Sequence, residues 1–214
     1  MNPRNVGSDA ITIHNEHDVE SASHCENKKK LFPRNLLDQT LAWFRQIVGD
    51  ERIMILLASA RLDDLLKRLL QSTMLHQGGS QDSLFDNDRP LGTFSSRILL
   101  AYRLGLIDRD YESFLQSLRK LRNDAAHAAE HIDLATSPHV DRVVHLHSLA
   151  SKSPLWETLN DKPANPKTEP AAALFTALVL AVFNAECAVL SAKLFSVDTV
   201  CGFHLLRMMP KEGS

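Results

Sequence analysis

Glycine and proline are scarce. Eight glycines and nine prolines in 214 residues are too few for an all-β chain with many tight turns. An excess of one charge is missing too: 24 Lys and Arg stand against 26 Asp and Glu, a formal charge of -2. Dedicated nucleic-acid binders normally show a domain pI above ~9 or a basic stripe, so that class is disfavoured. Cysteine is limited to Cys25, Cys187 and Cys201, with no short-spaced pair. An odd count without framework spacing points to reduced thiols and a cytoplasmic protein. The opening MNPRNVGSDAITIHNEHDVE has no apolar stretch of the kind a secretory signal needs. What is present is 44% apolar and 23% charged residues, a balance that excludes wholesale disorder. Leu and Ala lead the apolar set, and both favour helix.

The longest apolar run is AAALFTALVLAVFNAECAVLSA, from Ala171 to Ala192. By length it can span a bilayer. Asn184 and Glu186 lie inside it, a central carboxylate costs at least ~2.5 kcal/mol on insertion, and there is no Trp/Tyr belt. It reads as a buried core helix and not as a membrane span.

Residues 1–33 are polar, with Lys28, Lys29 and Lys30 in a row. They hold too little apolar surface to offset ordering entropy, so a disordered tail is expected. His14, His17, His24 and Cys25 fall in it, but their spacing fits no metal-ligand pattern. Helical periodicity begins at Leu37, Leu41, Phe44 and Val48. After Gly49, Asp50 can cap a long helix from about Glu51 to Leu75, striped by Leu62, Leu65, Leu66 and Leu69. A loop from Gly78 to Gly92 follows. Thr93 can cap a helix carrying Phe94, Ile98, Ala101 and Tyr102, and Asp108 can cap one carrying Phe114, Leu115, Leu118, Leu121 and Ala125. Pro138 can open a fifth helix, and residues 151–170 form a Pro-punctuated loop. The fold predicted is all-α: a single bundle of about six helices over residues 34–200, with a C-terminal tail over 201–214. No glycine-rich phosphate loop, cofactor motif or internal repeat is found.

Two segments carry polar groups worth weighing. Residues Leu84 to Ile98 (LFDNDRPLGTFSSRI) gather Asp86, Asp88, Arg89 and Arg97 with three hydroxyls around a turn. One reading is a structured interhelix loop, with Pro90 and Gly92 setting the backbone and Asp88 pairing with an arginine. The other is a polar recognition surface. The second segment is LRKLRNDAAH, Leu118 to His127. Arg119, Lys120 and Arg122 form the densest basic cluster on any predicted helix, diluted by Asp124. No helix-turn-helix reading element accompanies it.

These two segments together, with LLAYRLGLI over Leu99 to Ile107, resemble the two signatures of the mannitol operon repressor family. The strong resemblance covers residues 84–127. It departs from the family pattern at Arg103, at Ala126 and in the long polar tail. The resemblance implies a non-enzymatic, all-helical cytoplasmic protein that represses a sugar-alcohol uptake operon. It implies action through a protein partner, with weak or indirect DNA association. Self-association of the chain is a further expected contact. The binding residues it suggests are Asp86, Asp88, Arg89, Arg97, Arg119 and Arg122.

Arg122 and His127, with Asn123 between them, also resemble the Arg-x4-6-His motif of HEPN domains, many of which are metal-independent ribonucleases. On that alternative, His127 would activate a 2′-hydroxyl and Arg122 would stabilise the phosphorane charge. Residues five apart point about 140° apart on a helix, which weighs against it. A structural reading competes: Arg122, four after Leu118 and three before Ala125, starts on the apolar face of its helix and forms a buried pair with a carboxylate such as Asp64, while Asn123 and His127 tie the loop to the core. His127, Glu130 and His131 also fit the H-x-x-E-H pattern of a zinc hydrolase, which would need one continuous helix and a third ligand such as Glu157 or Glu186. His145 and His147, two apart, cannot chelate from one face.

Overall fold

The computed structural model describes residues 34–47, 49–75, 82–128, 131–159 and 163–192. The expected tails over 1–33 and 201–214 lie outside the described residues, as do the histidines of the first tail, Cys25, Cys201 and Glu130. Among the described residues the regular structure is all helical, without a strand. In chain order the helices are α1 (Arg34–Ile47), α2 (Glu51–Thr73), α3 (Phe94–Arg103), α4 (Arg109–His127), α5 (His139–Ala150), the single turn α6 (Trp156–Leu159) and α7 (Pro170–Ser191). A 3-10 turn, Ser83–Phe85, lies before α3. The all-α bundle of about six helices is therefore the observed fold, with one short turn more than expected inside the proline-rich loop.

Local chemistry sets the boundaries. Asp50, Thr93 and Asp108 each occupy an N-cap in extended backbone, and their side-chain oxygens accept from the N–H three residues on, that of Ile53, Ser96 and Tyr111. Each such cap satisfies a donor that has no partner within the helix. Helix α3 ends at Gly105, whose φ of 69° lies in the left-handed region. The N–H of Leu106 reaches back to the carbonyl of Ala101, and that of Gly105 to the carbonyl of Tyr102. This is the Schellman arrangement, which favours glycine at that position.

Helix α7 packs on α1, α2 and α5, and α4 packs on α2, α3 and α5. Helix α7 is apolar and long enough to cross a membrane, yet 61% of its apolar window is buried inside the bundle. Its carboxylate is accommodated there. Glu186 accepts from Arg61 at 2.6 Å through Oε1 and from Thr40 at 2.7 Å through Oε2, tying α7 to α2 and α1. Tyr111 donates its hydroxyl to the carbonyl of Ala181 at 2.6 Å. Burial, reinforced by the nearby charge of Asp108, pushes that phenol far above its usual range.

Candidate functional site

The loop before α3 is organised by one arginine. Phe94, Ile98 and Ala101 mark the inner stripe of α3. Arg97 lies three after Phe94 and four before Ala101, so it starts on that stripe. Its residue exposure is 8%. Nε donates to the carbonyl of Leu91 at 2.8 Å, and one terminal nitrogen donates to Asp63 Oδ1 at 2.7 Å. The other reaches the carbonyls of Phe85 at 3.3 Å and Gly92 at 3.2 Å. A guanidinium with its planar donors can hold several backbone carbonyls and a carboxylate at once. Arg97 is thus a structural staple between α2 and the loop. The expected loop pair between Asp88 and an arginine is not the one formed: Asp88 is exposed, and the arginine bonds Asp63 instead.

Asp63 stands between two clefts. One, about 560 Å³, is lined by Asp63, Asp64, Lys67, Phe85, Asp86 and Arg97 among others. The other, about 390 Å³, lies between the middle of α2, the N-terminus of α3 and α4. Its walls are Leu56, Ser59, Ala60 and Asp63 from α2, Thr93, Phe94 and Ser95 from α3, and Arg119, Arg122 and Asn123 from α4. Arg119 with Arg122, and Arg119 with Asn123, are three and four residues apart, which places the three side chains on one helix face.

The second cleft collects the basic residues singled out in the sequence, with one correction. Arg122 is exposed and its guanidinium donates to Asn123 Oδ1 at 3.3 Å, while Asp64 is not its partner. The buried carboxylate pair expected of Arg122 does not exist. The reason is angular: Leu118, Leu121 and Ala125 lie at the centre of the α4 stripe, all fully buried, and Arg122 is one residue, or about 100°, round from Leu121. Nor does Asp124 dilute the cluster. It is engaged from the other side by Arg142, and His139 Nε2 lies 3.5 Å from it. Among the described residues, no carboxylate comes within salt-bridge distance of Arg119 or Arg122.

The remaining sequence-predicted residues scatter. Asp86 lines the larger cleft, whereas Asp88 and Arg89 are exposed and line neither. His127 is exposed at the last residue of α4 and does not line the cleft that holds Arg122 and Asn123. The HEPN-like constellation is therefore not assembled within the described chain, and the expected tie of His127 to the core is not made. The zinc reading fails for a related reason: Ala128 leaves the helix with extended backbone, so His127 and His131 do not share a helical face. Among the described residues no group of metal-binding side chains forms. His145 bonds Ser113, and His147 packs edge-on to Trp156, so they point apart as their spacing requires.

Sequence reasoning missed Ser59, Asp63, Thr93 and Ser95 as cleft residues. Ser59 had a signal. It follows Ile55 by four and precedes Leu62 by three, a hydroxyl on an apolar stripe. In the structure it is 3% exposed and its hydroxyl has no hydrogen-bond partner.

No protein-family model and no curated protein matches the chain. Among solved structures, a chain of the X-ray structure of the MtlR–HPr complex from Escherichia coli is similar, with a TM-score of 0.52 at 18% identity. The match covers 72% of this chain and 98% of that one. At this identity the likeness is one of fold, and it agrees with the mannitol-repressor resemblance at that level.

Proposed function

We propose that this chain is a non-enzymatic, cytoplasmic, transcription-linked regulator similar to the mannitol operon repressor, and that it acts by holding a protein partner. The observation that carries the reading is the fold shared with a protein solved as a complex with HPr. The surface around the smaller cleft supports it. Arg119 and Arg122 lack a carboxylate partner among the described residues. Beside them on α2, Ile53 is 46% and Leu57 42% exposed. They stand three residues before the cleft residues Leu56 and Ala60, hence on the adjoining helix surface. Arginine is enriched at protein interfaces, and the exposed aliphatic side chains beside it offer apolar surface for a partner to bury.

The test is calorimetric titration of purified HPr into the full chain. A saturable complex is expected, weakened about ten-fold or more in Arg119→Glu/Arg122→Glu, since each ten-fold loss is about 1.4 kcal/mol. Absence of heat and of any complex at about 0.1 mM of each protein would remove HPr as the partner. A gel-shift with operator DNA should show only weak, unselective binding at physiological salt. Incubation with RNA and a chelator guards against the ribonuclease alternative: cleavage that His127→Ala abolishes would replace this reading.

A further inference from the structure

We infer that the cleft between α2, α4 and the N-terminus of α3 is a binding site for a small phosphate monoester, independently of which partner the protein holds. Three donor sets converge on it. Arg119 and Arg122 come from one turn of α4 and present two guanidinium groups, whose forked donors match phosphate oxygens. Asn123 adds an amide beside them. From the opposite wall comes the first turn of α3. There the Ser96 N–H is taken by Thr93 Oγ1 and the Arg97 N–H by the Thr93 carbonyl. The N–H groups of Phe94 and Ser95 belong to the first turn, where no carbonyl of the helix can reach them. Such a terminus favours an anion through both its donors and its dipole.

Ser59 supplies the separate observation that points to a ligand. It lines this cleft at 3% exposure, and its hydroxyl is unpartnered. A serine inside a helix ordinarily bonds the carbonyl one turn back, and an unmet buried hydroxyl costs about 1–3 kcal/mol. The hydroxyl is closed off from solvent, so a ligand oxygen seated against α2 would satisfy it with a small shift of the cleft wall.

Charge and size select among anions. Asp63 also faces the cleft, but its carboxylate is held by Arg97 at 2.7 Å, so it is locally neutralised. That leaves two guanidinium charges, which suit a phosphate dianion better than a single carboxylate. The volume, about 390 Å³, falls in the range of small-molecule pockets, roughly 300–1,000 Å³. There is room for a phosphate and a short body whose hydroxyls can meet Asp63 and Ser59.

The experiment is a titration of the full chain with inorganic phosphate, with glycerol 3-phosphate and, in a separate arm, with a phosphoserine peptide. It is followed by amide NMR and needs no partner protein. Saturable shifts at the Phe94 and Ser95 amides are expected, with glycerol 3-phosphate binding more tightly than phosphate or the peptide. Arg119→Gln/Arg122→Gln should weaken binding at least ten-fold, with the thermal midpoint confirming that the fold is retained. Ser59→Ala should narrow the preference for glycerol 3-phosphate over phosphate. Three results overturn the proposal: no saturable shift at those amides, equal binding in the double variant, or tighter binding of the peptide than of the small esters. Because these ligands are titrated without HPr, failure here leaves the partner reading standing, and failure with HPr leaves this site standing.

Discussion

Replacing Arg97 by alanine should damage the fold far more than replacing Arg122, and the structure gives the size of the difference. Arg97 makes four hydrogen bonds, three of them to the carbonyls of Leu91, Phe85 and Gly92, and one to Asp63. Its side chain is 9% exposed and that of Asp63 is 30% exposed. Breaking a buried ion pair by removing one partner costs ~3–5 kcal/mol. Asp63 keeps some contact with water, which places the pair at the low end. Three stranded carbonyls add to it, from nothing where water replaces the arginine to about 1 kcal/mol each where it does not, so a total of roughly 3–6 kcal/mol is expected for Arg97→Ala. A chain of this size loses about 2–4 °C of melting temperature per kcal/mol, hence a fall of roughly 6–24 °C. Arg97→Lys should recover only part of this, because an ammonium cannot span carboxylate and carbonyls in one plane. Arg122→Ala should stay within ~0.5 kcal/mol of the parent, as exposed substitutions do. Urea unfolding followed by helical circular dichroism measures all three. If Arg97→Ala lies within ~1 kcal/mol of the parent, or if Arg122→Ala costs as much as Arg97→Ala, the placement of the buried guanidinium is wrong.

Three other perturbations have definite outcomes. A Cβ at Gly92 would press into the backbone carbonyls of Asp86 and Asn87, so Gly92→Ala should cost about 2 kcal/mol or more and loosen the loop, which limited proteolysis between residues 82 and 93 reads directly. His147 is packed edge-on to Trp156, and burial lowers its pKa from the usual 6.5 despite an opposing hydrogen bond with the Ala164 backbone. Its folded form resists protonation while the unfolded chain accepts it, so stability is complete above pH 6.5 and falls as the pH drops below it. His147→Phe should flatten that acid limb in unfolding curves taken on either side of pH 6.5; an unchanged limb would assign it to other groups. Glu186→Leu would take the acid from Arg61, which is 42% exposed and so can turn to water, while the Thr40 hydroxyl keeps the Leu36 carbonyl as its acceptor at 2.9 Å. A loss of no more than about 1 kcal/mol is expected in urea unfolding; a loss above about 3 kcal/mol would show that the ion pair itself holds α7 in place.

The helices were legible because their signals are local. Asp50, Thr93 and Asp108 stand one residue before apolar stripes, and each caps as its position implies. The Ala171 run was placed in the core from Glu186 and Asn184, and Glu186 meets Arg61 and Thr40 there. The partners themselves were not legible. Arg61 is 125 residues from Glu186 and Thr40 is 146, and nothing in a stripe says which carboxylate faces which cation across a bundle. The short turn at Trp156–Leu159 escaped notice because four residues are too few to show a period of 3.6.

Spacing starts both Arg97 and Arg122 on an apolar stripe, yet only Arg97 is buried there, and the difference explains why a cleft exists. Arg122 is close to the α4 stripe by residue count, yet Leu121 already fills the centre of that stripe and is fully buried. Its guanidinium therefore leaves along the flank, next to Arg119 and Asn123. Arg97 sits inside the α3 stripe and cannot leave, so it takes Asp63 and the loop carbonyls for itself. That capture withdraws Asp63 from the arginines of α4, while Arg142 withdraws Asp124 from behind. Two cations with no acid in salt-bridge reach among the described residues, a helix N-terminus and the unpartnered hydroxyl of Ser59 then border one hollow. A bundle selected only for stability would gain by filling that hollow with aliphatic side chains from α2 and α4. Leaving the Ser59 hydroxyl unmatched there costs stability, and that hydroxyl and the two guanidinium groups beside it are what an oxyanion would engage.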